Sequence, residues 1–384
     1  MTAASLWLML FVACLPFFYY LLVLYSSWHF FRRRPDKRES VRPFTPPVSI
    51  LKPVRGSDPE AYENFASFCR QDYPQYEIVF CVGGPEDEIV PVIQKLKFDF
   101  PEVSIRVLFG SLRVATNDKV AKLARLSEEA QYEYLVISDS DVRVSADYLR
   151  NLIAPLSDAK VGAVTCLYVS TGEKTFVDKL QSIGMISDFY PGLFVARELE
   201  GVKFALGPAI ATTRAHLKQF GGYERIKNQP GDDLLVGRLI AEEGYEVELS
   251  RYVIQTVADY QSFSEFVHKR MRWLVVMRHM RPKGHFGLLF TQGLPWLLVA
   301  LVISPSANTA LGLVLTYLAF RLTTIWMVGI WGLGRPVWKL MPIVVLWDLL
   351  AFCLWLASFG KNTVRWRGGD YYILDGNLVP ATSR

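Results

Sequence analysis

The sequence predicts a mixed α/β domain set between membrane-spanning segments. Three observations predict it. Apolar residues crowd into the first thirty and last hundred positions instead of spreading evenly. Between them, short β runs alternate with stretches of helical periodicity, the pattern of βαβ units in a mostly parallel, Rossmann-like sheet. One of those runs, fully apolar, ends in two closely spaced aspartates. At 51% hydrophobic the 384-residue chain is too apolar for an ordinary soluble enzyme, yet its middle is long enough for one large domain with its own core.

The elements follow in order. Residues 6–31 are apolar and aromatic, long enough to cross a bilayer, which takes about 20 such residues. A cleaved signal is excluded by the length of the run and the lack of a small-residue cleavage site before the arginines. Arg32, Arg33, Arg34, Lys37 and Arg38 follow, which places this end in the cytoplasm. Residues 1–33 are thus an anchor and 34–47 a proline-bearing linker. The domain, 48–285, opens with a strand at 48–54, then a helix at 59–71 with Asp58 as its expected N-cap. Strands are expected at 77–82, 104–109, 134–138 and 161–169. Helices are expected at 86–100, 117–129, 145–156 and 234–243.

Apolar runs return at 286–303, 311–330 and 340–359, within a C-terminal membrane section 286–360 ahead of a tail, 361–384. Arg335 and Lys339 precede the third run, while Lys361, Arg365 and Arg367 follow it. Both flanks call for the cytoplasm, so one run is expected to be re-entrant or interfacial. The candidates are 286–303, broken by Gln292 and Gly293-Leu294-Pro295, and 340–359, which carries Asp348. Arg321, inside the second run, requires a partner.

The net charge of +5 is too mild for nucleic acid, and the basic residues cluster beside apolar segments instead, where anionic headgroups lie. Five scattered cysteines without a Cys-x-x-Cys pair argue against a disulfide framework and fit a reducing compartment. Five scattered histidines form no zinc pattern.

Three motifs carry chemistry. In Ser138-Asp139-Ser140-Asp141, two acids at i and i+2 follow a buried strand, at the sheet edge where ligands bind in α/β folds. Oxygen ligands there suit Mg²⁺ or Mn²⁺ completed by water and a diphosphate. The plainer alternative is a turn in which Asp141 or Ser145 caps the next helix. Gly231-Asp232-Asp233 opens a helix, and one acid is explained as an N-cap; the second could take a proton from an attacking hydroxyl. Lys269-Arg270-Met271-Arg272-Trp273 reads first as a basic amphipathic helix on a membrane surface, and second as a cationic patch for a departing diphosphate.

Together these motifs resemble family 2 type nucleotide-sugar glycosyltransferases, and more closely family 21, the ceramide glucosyltransferases with their bacterial hopanoid-pathway relatives. The resemblance covers about residues 45–285. It rests on Leu51-Lys52-Pro53 with Arg55-Gly56, Gln71-Asp72-Tyr73-Pro74, Asn117-x-Lys119, Asp139 to Val144, Asp232-Asp233 and Arg272-Trp273. Ser67 to Gln71 and Val164 to Tyr168 look more like the hopanoid branch. The resemblance implies a GT-A (nucleotide-diphospho-sugar transferase) domain that binds a UDP-sugar with a divalent metal. Asp141 would ligate the metal, Asp139 the metal or nucleotide, and Asp233 would be the base. Arg272 and Trp273 would line the diphosphate and acceptor region, and Lys52, Pro53, Asn117 and Lys119 would hold the donor.

Two positions depart from the pattern. The acid expected after the second strand is displaced by Gly83-Gly84-Pro85, leaving Glu86 and Asp87, and Lys269 stands where Gln or Arg is usual. Lysine keeps the charge but loses the planar fork, and it speaks against a polymerising enzyme.

The implied reaction is inverting transfer of glucose or N-acetylglucosamine from a UDP-sugar to a hydroxyl of ceramide or a hopanoid polyol. It would give a β-glycolipid at a bacterial inner membrane, with the domain in the cytoplasm. The alternatives are a processive polysaccharide synthase and a non-enzymatic membrane-bound nucleotide-binding protein. A dinucleotide oxidoreductase is disfavoured because no Gly-x-Gly-x-x-Gly follows the first strand. Oligomeric state is not readable from the sequence.

Overall fold

The computed structural model describes residues 3–32, 44–111, 115–171, 174–257, 260, 262–304, 306–366 and 369–381. Arg33, Arg34, Lys37, Arg38, most of the linker 34–47, and Arg367 lie outside them.

The domain is built on one eight-stranded sheet. Its strands are β1 (Val48–Pro53), β2 (Tyr76–Val82), β3 (Ser104–Phe109), β4 (Tyr134–Ile137), β5 (Val142–Arg143), β6 (Val161–Thr171), β7 (Ile210–Thr213) and β8 (Glu246–Val257), in the spatial order β3-β2-β1-β4-β7-β6-β8-β5. The first four run parallel; β7 pairs antiparallel with both β4 and β6, so the sheet is mixed. All six residues of β1 are buried. Val48 and Ile50 join one core, and Leu51 joins the other. Burial on both faces is why these strands read as continuous apolar runs. Helices Ala61–Cys69 and Tyr148–Ile153 cover the first face, while Asp118–Glu129 and Asp232–Glu242 cover the second.

The expected helix starts need correction. Asp58 does not cap the first helix. That helix begins at Ala61 after Glu60, which takes a left-handed φ of 57° and makes no side-chain cap bond. The helix expected at 86–100 starts only at Val90, after Pro85 and a turn. The interval after β6 holds a helix in three pieces, Phe176–Gly184, Met185–Phe189 and Tyr190–Glu200, with a wide π turn in the middle. Residues expected as a tail form a second sheet, β9 (Thr363–Trp366), β10 (Gly369–Leu374) and β11 (Asn377–Pro380). Its Val364, Ile373 and Leu378 pack on Val275 of helix Phe263–Met280.

Among the described residues, three helices are long and apolar enough to cross a membrane: Leu6–Arg32, Ala307–Gly332 and Val337–Ser358. Pro282–Thr291 and Gly293–Val302 form a pair bent by 49°. The bend falls at Gln292, the break anticipated for that run, whereas the Asp348 run passes as one helix. Arg321 has its partners: it pairs with Asp348, with Asp188 of the π turn at 3.0 Å, and with the Ser187 carbonyl at 2.8 Å. Tyr317 also donates to Asp348. This network and an aromatic cluster that includes Phe30, Phe194, Phe266 and Trp347 join the domain to the membrane helices.

Candidate active site

The site forms where β1 and β4 end together. Leu51 pairs with Ile137, so the next residues, Lys52 and Ser138, lie side by side. Lys52 is fully buried, and its ammonium donates to Ser138 Oγ at 3.1 Å and to the Asp139 carbonyl at 2.9 Å. It also stands 3.5 Å from the Phe68 ring centre. Burial pulls its pKa down to about 7, against the pull of Asp139, Asp141 and Asp58. Lys52 is a strut under the aspartate turn.

Across the turn, Ser140 donates to Asp58, which explains why Asp58 caps no helix. Val257 N–H donates to the Asp141 carbonyl at 2.8 Å, pinning the turn to β8. Asp141 caps no helix either, because helix Tyr148–Ile153 has Asp147 at its N-cap and no side-chain cap bond. Burial, then the charges of Asp139 and Asp58, raise the Asp141 carboxyl to about 7, with Lys52 opposing.

Asn117 caps helix Asp118–Glu129 by accepting from Val120 N–H, and its amide donates to the Gln229 carbonyl at 3.0 Å. Two residues on, Lys119 enters the site. Its Nζ lies 2.7 Å from Asp139 Oδ1 and 3.2 Å from Asp232 Oδ2. Burial acts to discharge this lysine, but Asp139, Asp232 and Asp233 outweigh it and raise its pKa.

Helix Asp232–Glu242 begins after Gly231, whose left-handed φ of 71° makes the corner, and no side chain caps it. The plain capping reading of the two acids is therefore replaced. Asp232 goes to Lys119, while Asp233 Oδ2 accepts from Gly207 N–H at 2.9 Å and Oδ1 from Leu234 N–H at 2.8 Å. Burial, then Asp232, raise the Asp233 carboxyl to about 6, with Lys119 opposing. Gly207 lets two carboxylates converge: a Cβ there would lie 3.1 Å from Asp233 Oδ2 and 3.5 Å from Asp139 Oδ2.

The structure thus brings Lys52, Lys119, Asp139, Asp141 and Asp233 together and adds Asp58, Asp232 and Gly207. Asp58 and Gly207 were not expected there; the one available signal for Gly207 was the Gly207-Pro208 turn between strands. Other expected residues make their contacts elsewhere. Asp87 accepts from Gly56 N–H and Ile89 N–H, both at 3.2 Å, and so ties the loop after β2 to the turn after β1. Glu86 folds back over Gly84 and is exposed. Pro53 ends β1, paired with Cys81. Lys269 pairs with Glu265 at 3.0 Å and sits over the Tyr260 ring. Trp273 is 37% exposed, with its ring 6.1 Å from Phe189, and Arg272 is half-buried on the same helix.

The donor set fits a divalent cation. Asp139 and Asp141 are hard oxygen donors on one turn, and such an ion would offset the burial and then the charges of Asp139 and Asp58 that raise the Asp141 carboxyl. Among the described residues no group of three His, Cys, Asp or Glu side chains is arranged to hold a metal. A diphosphate and water would have to complete the sphere.

The model of glycosyl transferase family 21 matches residues 8–379. The chain belongs to this family. A ceramide glucosyltransferase 3 of Caenorhabditis elegans is 22% identical over 96% of this chain and 81% of that protein. Ceramide glucosyltransferase 1 of the same organism is 24% identical over 71% of the chain and 58% of that protein. The Candida albicans ceramide glucosyltransferase is 35% identical over 29% of the chain and 22% of that protein. Among solved structures, the Pyrobaculum calidifontis mannosyltransferase PcManGT, in complex with GDP-Man and Mn²⁺, superimposes with a TM-score of 0.59 at 19% identity. That match covers 92% of this chain and 98% of that one. The family 21 chain therefore has a GT-A glycosyltransferase fold and is a glycosyltransferase similar to ceramide glucosyltransferases, with three helices among the described residues long and apolar enough to cross a membrane.

Proposed function

We propose that this family 21 enzyme transfers a hexose, glucose or N-acetylglucosamine, from a UDP-sugar to a hydroxyl of a membrane lipid, with inversion. The observation that carries the reading is the convergence of Asp139 and Asp233 on Gly207, with Lys119 close to Asp139 and Asp232. One carboxylate belongs to the metal turn, the other to a helix start, so donor and base share one cleft.

Asp139 and Asp141 would hold a divalent cation that neutralises the donor's diphosphate. The protein's own residues do the rest. Asp233, held by two backbone N–H groups, keeps lone pairs free to accept the acceptor's proton. As that O–H bond breaks, the acceptor oxygen bonds the anomeric carbon from the face opposite the leaving group. The bond to the diphosphate oxygen breaks, and its electron pair leaves with UDP. A UDP-α-sugar then yields a β-linked lipid. Lys119 keeps Asp139 in place throughout.

A lipid acceptor is supported by the membrane helices that flank the domain and by the ceramide glucosyltransferase relatives. The basic cluster after the first span supports a cytoplasmic domain, at a bacterial inner membrane under the hopanoid-branch resemblance. Membranes containing the protein, incubated with labelled UDP-glucose or UDP-N-acetylglucosamine plus ceramide or a hopanoid polyol, should yield one labelled glycolipid. No labelled lipid from any of the four pairings would overturn the reading.

A further inference from the structure

Helix Phe263–Met280 carries four cations, and one of them, Arg270, sits among three aromatic rings. The Arg270 guanidinium carbon lies 4.9 Å from the Trp347 ring centre, 5.3 Å from Trp273 and 5.6 Å from Phe266. Ring faces answer the positive charge, but they do not answer in-plane N–H donors. Arg270 Nε and Nη2 are sealed from solvent and, among the described residues, have no hydrogen-bond partner. These are the two donors with which an arginine grips a planar anion side-on. Elsewhere in this chain the same pair holds Glu77 from Arg106, at 2.8 and 3.2 Å, and Asp72 from Arg150, at 3.1 and 3.0 Å. Among the described residues Arg270 has no such carboxylate. Burial lowers its pKa, which marks the charge as under-compensated.

The position is equally telling. The phenols of Tyr168 and Tyr260 are within electrostatic reach of both Arg270 and Asp141, and Tyr168 also of Asp233. Trp347 belongs to a helix long and apolar enough to cross a membrane, so the box joins helix Phe263–Met280 to that segment. Gly184 makes the seat: a Cβ there would stand 2.8 Å from Arg270 Nη2 and 2.4 Å from Trp347. Arg270 as a whole is half-buried.

We propose that Arg270 is a phosphate-binding residue, exchanging two unpartnered N–H groups for charge-assisted bonds to a phosphate oxyanion. Two sources carry that chemistry: the donor's diphosphate, in which case the inference rests on the proposed UDP-sugar reaction, or a phospholipid headgroup. Lys269, the residue the family pattern points to, is engaged by Glu265 instead.

The test uses the full-length protein in nanodiscs. UDP binding is titrated in the presence of Mn²⁺ for wild type, Arg270→Gln and Arg270→Lys. Bound phospholipid is counted by native mass spectrometry after reconstitution in phosphatidylcholine with a phosphatidylglycerol fraction. If the donor is the source, Arg270→Gln weakens UDP binding about 10- to 100-fold, and Arg270→Lys, which keeps charge without the fork, by less. Guanidinium ion added to Arg270→Ala restores affinity in part, which loss of a merely structural contact would not allow. If the lipid is the source, UDP affinity holds and Arg270→Gln loses a retained phosphatidylglycerol. Should Arg270→Gln not fold, the Arg270→Lys arm decides. Wild-type behaviour of both variants in both measurements overturns the inference. A wild type with no UDP affinity overturns instead the UDP-sugar reading on which the donor arm stands.

Discussion

Lys119 Nζ lies 2.7 Å from Asp139 Oδ1, a contact between the start of one helix and the turn after β4. The same ammonium reaches Asp232 at 3.2 Å, so one cation ties the turn of Asp139 and Asp141 to the helix that carries Asp233. The Lys119 side chain is only 13% exposed and Asp139 32%, so solvent screens the pair weakly. Lys119→Met should destabilise the fold by about 3 kcal/mol or somewhat less, since it strands carboxylates that are partly buried. Transfer should fall more than stability does, by about 100-fold, because Asp139 and Asp233 lose their common reference point. Thermal melting beside kcat separates the two effects; equal, small losses in both would mean that Lys119 is only a structural tie.

Asp233→Asn keeps the shape of the side chain and, through its one carbonyl oxygen, either the Gly207 or the Leu234 contact, yet cannot accept a proton. Transfer should fall by about 10²–10⁴-fold while UDP-sugar binding stays near wild type. The wild-type pH profile follows from the same residue. Its carboxyl is raised to about 6, and the base works in its deprotonated form. Protonation therefore grows as pH drops through about 6, and kcat/KM should fall on that side and level off above it. A profile flat between pH 5 and 7 would remove Asp233 from the role.

The outcome for each element depends on how local its cause is. β4 and its aspartate pair were legible because burial on both faces leaves a continuous apolar run, and two acids after such a run stand out. Asn117 was legible as a helix start for the same kind of reason, though its amide is spent on the Gln229 carbonyl. Asp58 looked like a cap because cap preferences are local, whereas its actual partner, Ser140, lies 82 residues away. β7 and β8 carry no local sign of the antiparallel pairing that makes the sheet mixed. The sheet of residues 363–380 is built from short strands whose stabilising contact is Val275, far away in sequence. In the 269–273 motif, composition announces a basic helix but cannot say that Lys269 meets Glu265 while Arg270 meets three rings.

Gly207 offers a steric test. Its φ is not left-handed, so alanine brings no backbone strain, only a methyl group 3.1 Å from Asp233 Oδ2 and 3.5 Å from Asp139 Oδ2. The carboxylates must give by a few tenths of an ångström. Gly207→Ala should leave the melting temperature nearly unchanged and lower kcat about tenfold. Unchanged kcat would show that the spacing of the two carboxylates is not critical.

The charge network at the membrane helices makes a prediction with a sign reversal. Arg321 is 2% exposed and Asp348 7%, and Asp188 completes the pair from the π turn of the domain's long helix. Arg321→Met leaves Asp348 buried without its cation and should destabilise by about 3–5 kcal/mol. Arg321→Met with Asp348→Leu removes both charges, so most of that loss should return. The double variant still lacks the link from Arg321 to Asp188 and the Ser187 carbonyl, which joins the membrane helix to the domain. It should therefore regain stability in detergent unfolding without regaining full transfer to lipid. Recovery of both together would reduce the network to packing, whereas recovery of stability alone identifies it as the joint that sets the domain against the membrane.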